Sequence, residues 1–317
     1  PNSAKLLRNW FPYRQRGFAQ GMMWAFARFG GAATPMLILL IGSRLGWRGV
    51  FLTFGLLGGV WALFFHRHLR DGPAHDPRVN DAERRCIGQD EMLGPRAPIS
   101  WRAMLSSPTL WLLAGMYFVG NAGGCFFITW DQNYYAEVLH LSGSRLTLAT
   151  TGPLFCGGVA CLLGGFSTDA MVRVLGRRWG RTLQGMFAYA LGAGFFLAAL
   201  VVRHPTLSVI LLCAASFSKD LAMSVSWATC LDVGHRYSGS VSGFMNMVGN
   251  LGAAVASPLV AYLARGDGAG GWNAALVVSA ASLAMAASAW LLIDPTRTIV
   301  YDPADRLRLA AAGELRP

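Results

Sequence analysis

Charge is the first thing this sequence has little of. Asp, Glu, Lys and Arg together make up 14% of the chain, against roughly 25% in soluble domains, which excludes a water-facing globular surface over most of its length. No Cys-x-x-Cys pair, no His-Glu-x-x-His, no nucleophile elbow and no phosphate-cradling glycine loop is present, so zinc, acyl-transfer and nucleotide chemistry have no sequence foothold. The six histidines, His66, His68, His75, His140, His204 and His235, lie in loops or at segment ends. No segment alternates polar and apolar residues as a lumen-lined strand would, which excludes a barrel. Neither an initiator Met nor a signal peptide precedes Pro1, and the expectation is a piece of a longer chain.

What is there is apolar surface. Hydrophobic residues reach 54% and mean hydropathy is +0.40. Eight stretches are long enough to cross a bilayer as helices, at about 17–41, 48–66, 109–130, 146–168, 182–202, 207–231, 240–264 and 272–293, since about 20 apolar residues span the hydrocarbon. The expected fold class is therefore an all-α integral membrane protein. Five cysteines, Cys125, Cys156, Cys161, Cys213 and Cys230, fall inside these stretches and are read as small packing residues.

The formal charge of +11 invites a nucleic-acid reading, but its distribution opposes one. If the first residues lie in the cytoplasm and the spans alternate, the inside segments hold 20 of the 27 Lys and Arg, and the outside segments hold Arg44, Arg48, Arg145, Arg203 and Arg265. That bias is the positive-inside rule. It predicts a multi-pass protein of the cell (inner) membrane with both ends cytoplasmic and no nucleic-acid partner.

Two cations remain inside spans: Arg28, and Lys219 at the midpoint of 207–231 with Asp220 beside it. A charge at that depth costs roughly 2.5–3.5 kcal/mol on insertion scales and usually faces a partner or a watery pathway. A guanidinium fork and a compact ammonium together suit an organic anion, while internal ion pairing is the alternative for both. At helical spacing Asp220, Ser224 and Trp227 share a face. Lys219 is offset by about 100°, so it can border the same space without pairing to its neighbour.

The segment GGFSTDAMVRVLGRRWGR carries Gly165, Asp169, Arg173, Gly176, Arg177 and Arg178. It resembles the G-x-x-x-D-(R/K)-x-G-R-R loop signature of the major facilitator superfamily, with extra residues between Asp169 and Gly176. Within that superfamily the chain looks like the anion:cation symporter family, which includes permeases for hexonates, hexuronates, glucarate, tartrate and phthalate. The stretches that carry this match are WFPYRQRGFAQGMMWAFARFGGAATP with GWRGVF, then RDGPAHDPRVNDAE, and SWATCLDVGHRYSGSVSGFMNMVGNLGAAVASP with the later WLLIDP.

The resemblance implies a fold lacking its first four spans. On it, 1–66 is the remnant of the N-terminal half with spans five and six, and 67–107 is a cytoplasmic central linker with seven arginines. Residues 108–293 form the six-helix C-terminal half, and 294–317 a cytoplasmic tail. It implies symport of a small organic anion with protons or sodium by alternating access, no cofactor or metal, and a monomer when full length. Substrate-binding candidates are Arg28, Tyr117, Asn121, Lys219, Trp227, Asn246 and Asn250, with Asp220 for ion coupling and the signature residues as a conformational loop. Interhelical hydrogen bonding is the alternative for the asparagines; the glycines at 239, 243, 249 and 252 read as packing surface. Trp130-Asp131-Gln132-Asn133 departs from the family's Trp-Leu-Pro. A multidrug/proton antiporter and a membrane-embedded enzyme are the other readings. The first lacks its longer glycine-and-proline signature; the second lacks any motif.

Overall fold

In the computed structural model the described residues are 2–12, 15–70, 72–73, 76–87, 101–202, 204–265, 269–297 and 299. His75, Arg203, part of the linker and the tail beyond 299 lie outside them. Every regular element among the described residues is helical: α1 Asn2–Trp10, α2 Arg16–His68, α3 Asp81–Ile87, α4 Trp101–Leu105, α5 Pro108–Gly124, α6 Asp131–Glu137, α7 Gly143–Val201, α8 Pro205–Gly234, α9 Ser238–Ala264 and α10 Ala269–Leu292. A π-helical turn, Phe126–Trp130, joins α5 to α6, so Pro108–Glu137 forms one apolar run, and six such helices are long and apolar enough to cross a membrane.

Two of them are too long for one crossing. At about 1.5 Å per residue, the 53 residues of α2 and the 59 of α7 would stretch far beyond a hydrocarbon core of about 30 Å. Each folds back at a single glycine. Gly46 sits at φ 66°, ψ 178° and Gly176 at φ 76°, ψ 170°, a region that only glycine adopts cheaply. Residues that a straight helix would hold far apart therefore meet: a Cβ on Gly180 would lie 2.7 Å from the Met171 carbonyl carbon, and one on Gly42 3.6 Å from Val50. Two hairpins and four single helices give eight segments of membrane-spanning length among the described residues, and the eight apolar stretches of the sequence map onto them one for one.

Packing follows the apolar faces. α8 runs along α7, α5 lies against α9 and α10, and the first limb of α2 seats on α7 and α8. Small residues permit the close approach. Gly252 abuts the Phe118 backbone, and Gly249 abuts Tyr117 and Asn121, as expected of a packing surface. The second limb of α2 instead turns outward along most of its length, with Phe51, Leu52, Leu56, Leu57 and Trp61 exposed.

The chain begins α2, ends α8 and makes the Gly176 turn at the same end of the bundle, since Arg16 of α2 reaches Asp232 of α8 at 3.7 Å. The linker leaves from this end too: Trp10 Nε1 donates to the Arg70 carbonyl at 3.0 Å. Arg78 Nη2 donates to the His68 carbonyl at 2.9 Å, meeting an orphan carbonyl at the C-terminus of α2. Its partner Asp76 is thereby held at a pKa of about 2, the Arg78 side chain being the main cause.

Candidate functional site

At mid-depth three charged side chains form one cluster. Lys219 and Asp220 stand halfway along the 30 residues of α8, and Arg28 comes from the middle of the first limb of α2. Asp220 pairs with Arg28, Nη2 donating to Oδ1 at 2.8 Å and Nε standing 2.7 Å from Oδ2, and also takes Lys219 Nζ on Oδ1 at 2.9 Å. Two cations thus share one carboxylate, leaving a formal charge of +1. The cluster is largely shielded from solvent: the side chains of Asp220, Lys219 and Arg28 are 2%, 6% and 15% exposed.

Glycines on both flanking helices make this cluster sterically possible. Gly157 of α7 abuts Asp220 Oδ2, and a Cβ on Gly124 of α5 would stand 2.6 Å from Lys219 Cε. The helix face below is pinned to α7 by Ser224 Oγ, which donates to the Cys161 carbonyl at 2.8 Å.

Aromatic rings complete the surroundings. Trp227 is 3% exposed. It meets Trp24 of α2 at 5.1 Å between ring centroids, and Tyr117 of α5 edge-on at 6.3 Å. Its indole N–H donates to the Tyr117 hydroxyl at 3.0 Å, which in turn donates to Met223 Sδ at 3.4 Å. One Trp of α8 therefore ties α2 to α5 through ring contacts, the edge-on one with Tyr117 being a favoured packing geometry.

The sequence-predicted residues divide accordingly. Arg28, Lys219, Asp220, Trp227 and Tyr117 come together. Lys219 pairs with its neighbour after all, because a four-carbon stem can swing its ammonium back across the 100° offset. Asn121 borders α9 at Gly249. Asn250 is exposed and donates to the Asn246 carbonyl of its own helix at 2.8 Å, and Asn246 is partly buried one turn before it. Two residues that sequence reasoning missed lie on the Arg28 face of α2. Gln20 is fully buried with neither amide atom partnered, and the buried Trp24 indole N–H is likewise unpartnered among the described residues. Their i, i+4, i+8 spacing with Arg28 was a readable signal.

The loop signature works at the linker end. Asp169 accepts the backbone N–H groups of Gly17 at 3.2 Å and Phe18 at 2.8 Å. It supplies an anion to the first turn of α2, whose N–H groups have no partners within the helix. Gly165 closes the seam, since a Cβ there would lie 2.8 Å from the Gly17 carbonyl oxygen. Arg173 Nε donates to the Asp169 carbonyl at 3.2 Å, and Gly176 makes the reversal. Arg177 lies near enough to His235 to disfavour its protonation, and Arg178 stands over the Trp179 ring at 5.7 Å.

Beside this loop is an ion pair that the sequence reading did not single out. Arg181 meets Asp232 at 3.0 Å with both side chains fully buried, and Arg181 Nη1 donates to Thr168 Oγ1 at 3.2 Å. His235 next to it is held neutral, its pKa pushed down to about 3 by burial and then by Arg8, Arg177 and Arg16.

Comparison with known proteins adds lineage to this geometry. The family model of the Major Facilitator Superfamily matches residues 1–257. The chain is 30% identical over its whole length to the probable sulfoacetate transporter SauU of Cupriavidus necator, covering 72% of that protein. It is 26% identical to the hexuronate transporter of Bacillus subtilis, with 95% of this chain aligned to 70% of the relative. It is also 27% identical to the chloroplastic ascorbate transporter of Arabidopsis thaliana, with 92% of this chain aligned but only 54% of the longer relative spanned.

Proposed function

The chain belongs to the major facilitator superfamily, and from that premise we propose that it serves a secondary transporter of small organic anions, carboxylates or sulfonates, moved together with a proton or sodium ion by alternating access. The observation that carries the reading is the charge count of the mid-depth cluster. Arg28 and Lys219 share the single carboxylate of Asp220, and a buried net positive charge is costly. One further anionic group would balance it. A guanidinium fork is also the donor best matched to a carboxylate or sulfonate edge.

The unpartnered Gln20 amide and Trp24 indole N–H add donors on the same helix face for the oxygens of such a ligand. Relatives named as transporters of sulfoacetate, hexuronate and ascorbate support an anion as cargo. The excess of Arg at the linker end supports a cytoplasmic location for that end in an inner membrane. Residues 1–66 would then be part of one half and 108–293 the other, with Trp24, Trp227 and the Asp169 cap bridging them.

The test is reconstitution of the protein in liposomes with sulfoacetate, a hexuronate and glucarate offered under proton and sodium gradients. Saturable uptake of one of them, abolished by Arg28→Met, is expected. Absence of any anion uptake under either gradient, with export of hydrophobic cations instead, sinks the proposal.

A further inference from the structure

The end of the bundle away from the linker holds a second charged group with a different environment. Asp131 opens α6 directly after the π-helical turn Phe126–Trp130. A π-turn carries an extra residue and so rotates the next helical segment relative to the preceding one. Here the rotation sends an acidic side chain inward, and Asp131 is only 6% exposed.

Unlike Asp220, it meets no cation: among the described residues no Lys or Arg lies within ion-pair distance. Its Oδ1 accepts the Gln132 backbone N–H at 2.8 Å, with its own backbone N–H also close, while Oδ2 is buried without a partner. One turn on, the Tyr135 hydroxyl is also buried and unpartnered, the residue being fully buried. The titratable groups facing Asp131 are Tyr135 on its own helix and the Cys213 thiol from α8, and Cys213 in turn faces Cys156 of α7. Glu137 is engaged elsewhere, accepting the Trp272 indole N–H at 3.1 Å.

An ionised carboxylate with only neutral backbone donors, no counter-ion and an orphaned oxygen is the arrangement that burial penalises most. One added proton removes the difficulty. The neutral acid carries no charge to desolvate, and the Tyr135 phenol one turn along is a polar but uncharged neighbour for it. We propose that Asp131 is a proton-carrying site: neutral, with the proton on Oδ2, in the conformation seen here, and ionised when the ends of α5–α6 and α8 part and water reaches it. The proton comes from and returns to the solvent at that end, one carboxylate becoming one carboxylic acid. Its use as the coupling proton rests on the transport reading above; its protonation does not.

Infrared difference spectroscopy of the purified protein in lipid reads the protonation directly. At neutral pH the wild type should show the carbonyl band of a protonated carboxyl, and Asp131→Asn should lose it. Tyr135→Phe keeps the acid but removes the neighbouring hydroxyl, and should shift the band by making the surroundings of the acid less polar. If Asp131→Asn fails to fold, the Tyr135→Phe shift decides the matter alone. Identical spectra at neutral pH for wild type and variants overturn the assignment. In liposomes the same Asn variant should lose the dependence of anion uptake on pH at that face. A band without any anion uptake would sink the transport reading and leave the proton site standing; uptake without the band would do the reverse.

Discussion

Asp220→Asn keeps the size and shape of the side chain and removes only its charge, so it isolates what the carboxylate does for its two partners. In the native cluster Arg28 and Lys219 both sit on Asp220 at 2.7–2.9 Å, and the Asp220 side chain is 2% exposed. Removing one partner of a buried pair costs roughly 3–5 kcal/mol because the survivor keeps its desolvation penalty. Here two cations survive, and arginine cannot shed its proton, so the upper part of that range is expected. Lys219→Met makes the contrast. It deletes one charge-assisted bond, worth about 1.5–3 kcal/mol, but also removes the unbalanced cation and leaves the Arg28 pair intact, so the net loss should be within about 1 kcal/mol. The double variant should fall between the two. The assay is equilibrium unfolding in mild detergent or lipid, with and without a small organic anion. The anion should stabilise Asp220→Asn more than the wild type, because it restores the missing charge. The reasoning fails if Asp220→Asn unfolds within about 0.5 kcal/mol of wild type, the usual range for inconsequential substitutions, or if Lys219→Met is the more damaging of the two.

Gly46→Ala and Gly176→Ala should each destabilise by roughly 1–3 kcal/mol from backbone conformation alone, since an added Cβ meets nothing within 4 Å at either place; a loss near zero in thermal unfolding would show that the turns relax. His235 has a folded pKa of about 3 against an unfolded value near 6.5. Below that unfolded value the unfolded chain takes up a proton that the folded chain refuses, so stability should fall by about 1–2 kcal/mol between pH 7 and pH 5; His235→Gln should flatten that slope, and an unchanged slope would place its origin elsewhere. Asp169→Asn removes the anion from the first turn of α2 and should cost about 0.3–2 kcal/mol, with faster amide exchange at Gly17 and Phe18; protection equal to wild type there would refute the cap.

The number of crossings was legible because apolar length is a one-dimensional property. So was the mid-depth position of Arg28, Lys219 and Asp220. Pairing was not, for a physical reason: a helical wheel gives the direction of each Cβ, but a lysine ammonium stands several rotatable bonds beyond it. Asp232 and Arg181 escaped notice since each lies just outside an apolar stretch, where charge is ordinary, and only the folded bundle shows them buried together. Asn250 illustrates the limit of spacing as a guide. Its spacing with Asn246 suggested a shared ligand face, yet the amide is satisfied by a carbonyl one turn back. The π-turn before Asp131 leaves no mark in composition or period, so the sequence showed an unexpected acid without showing that it points inward.

The seat of Asp220 between two cations has a consequence for an empty carrier. A transporter whose binding cations faced an open cavity would have to reorient two bare charges through a thin hydrocarbon barrier whenever it travelled without cargo. With a resident carboxylate already lodged between them, the unladen protein moves only one net charge. On the transport reading, Asp220 then separates a carrier that can return alone from one that is obliged to exchange one anion for another.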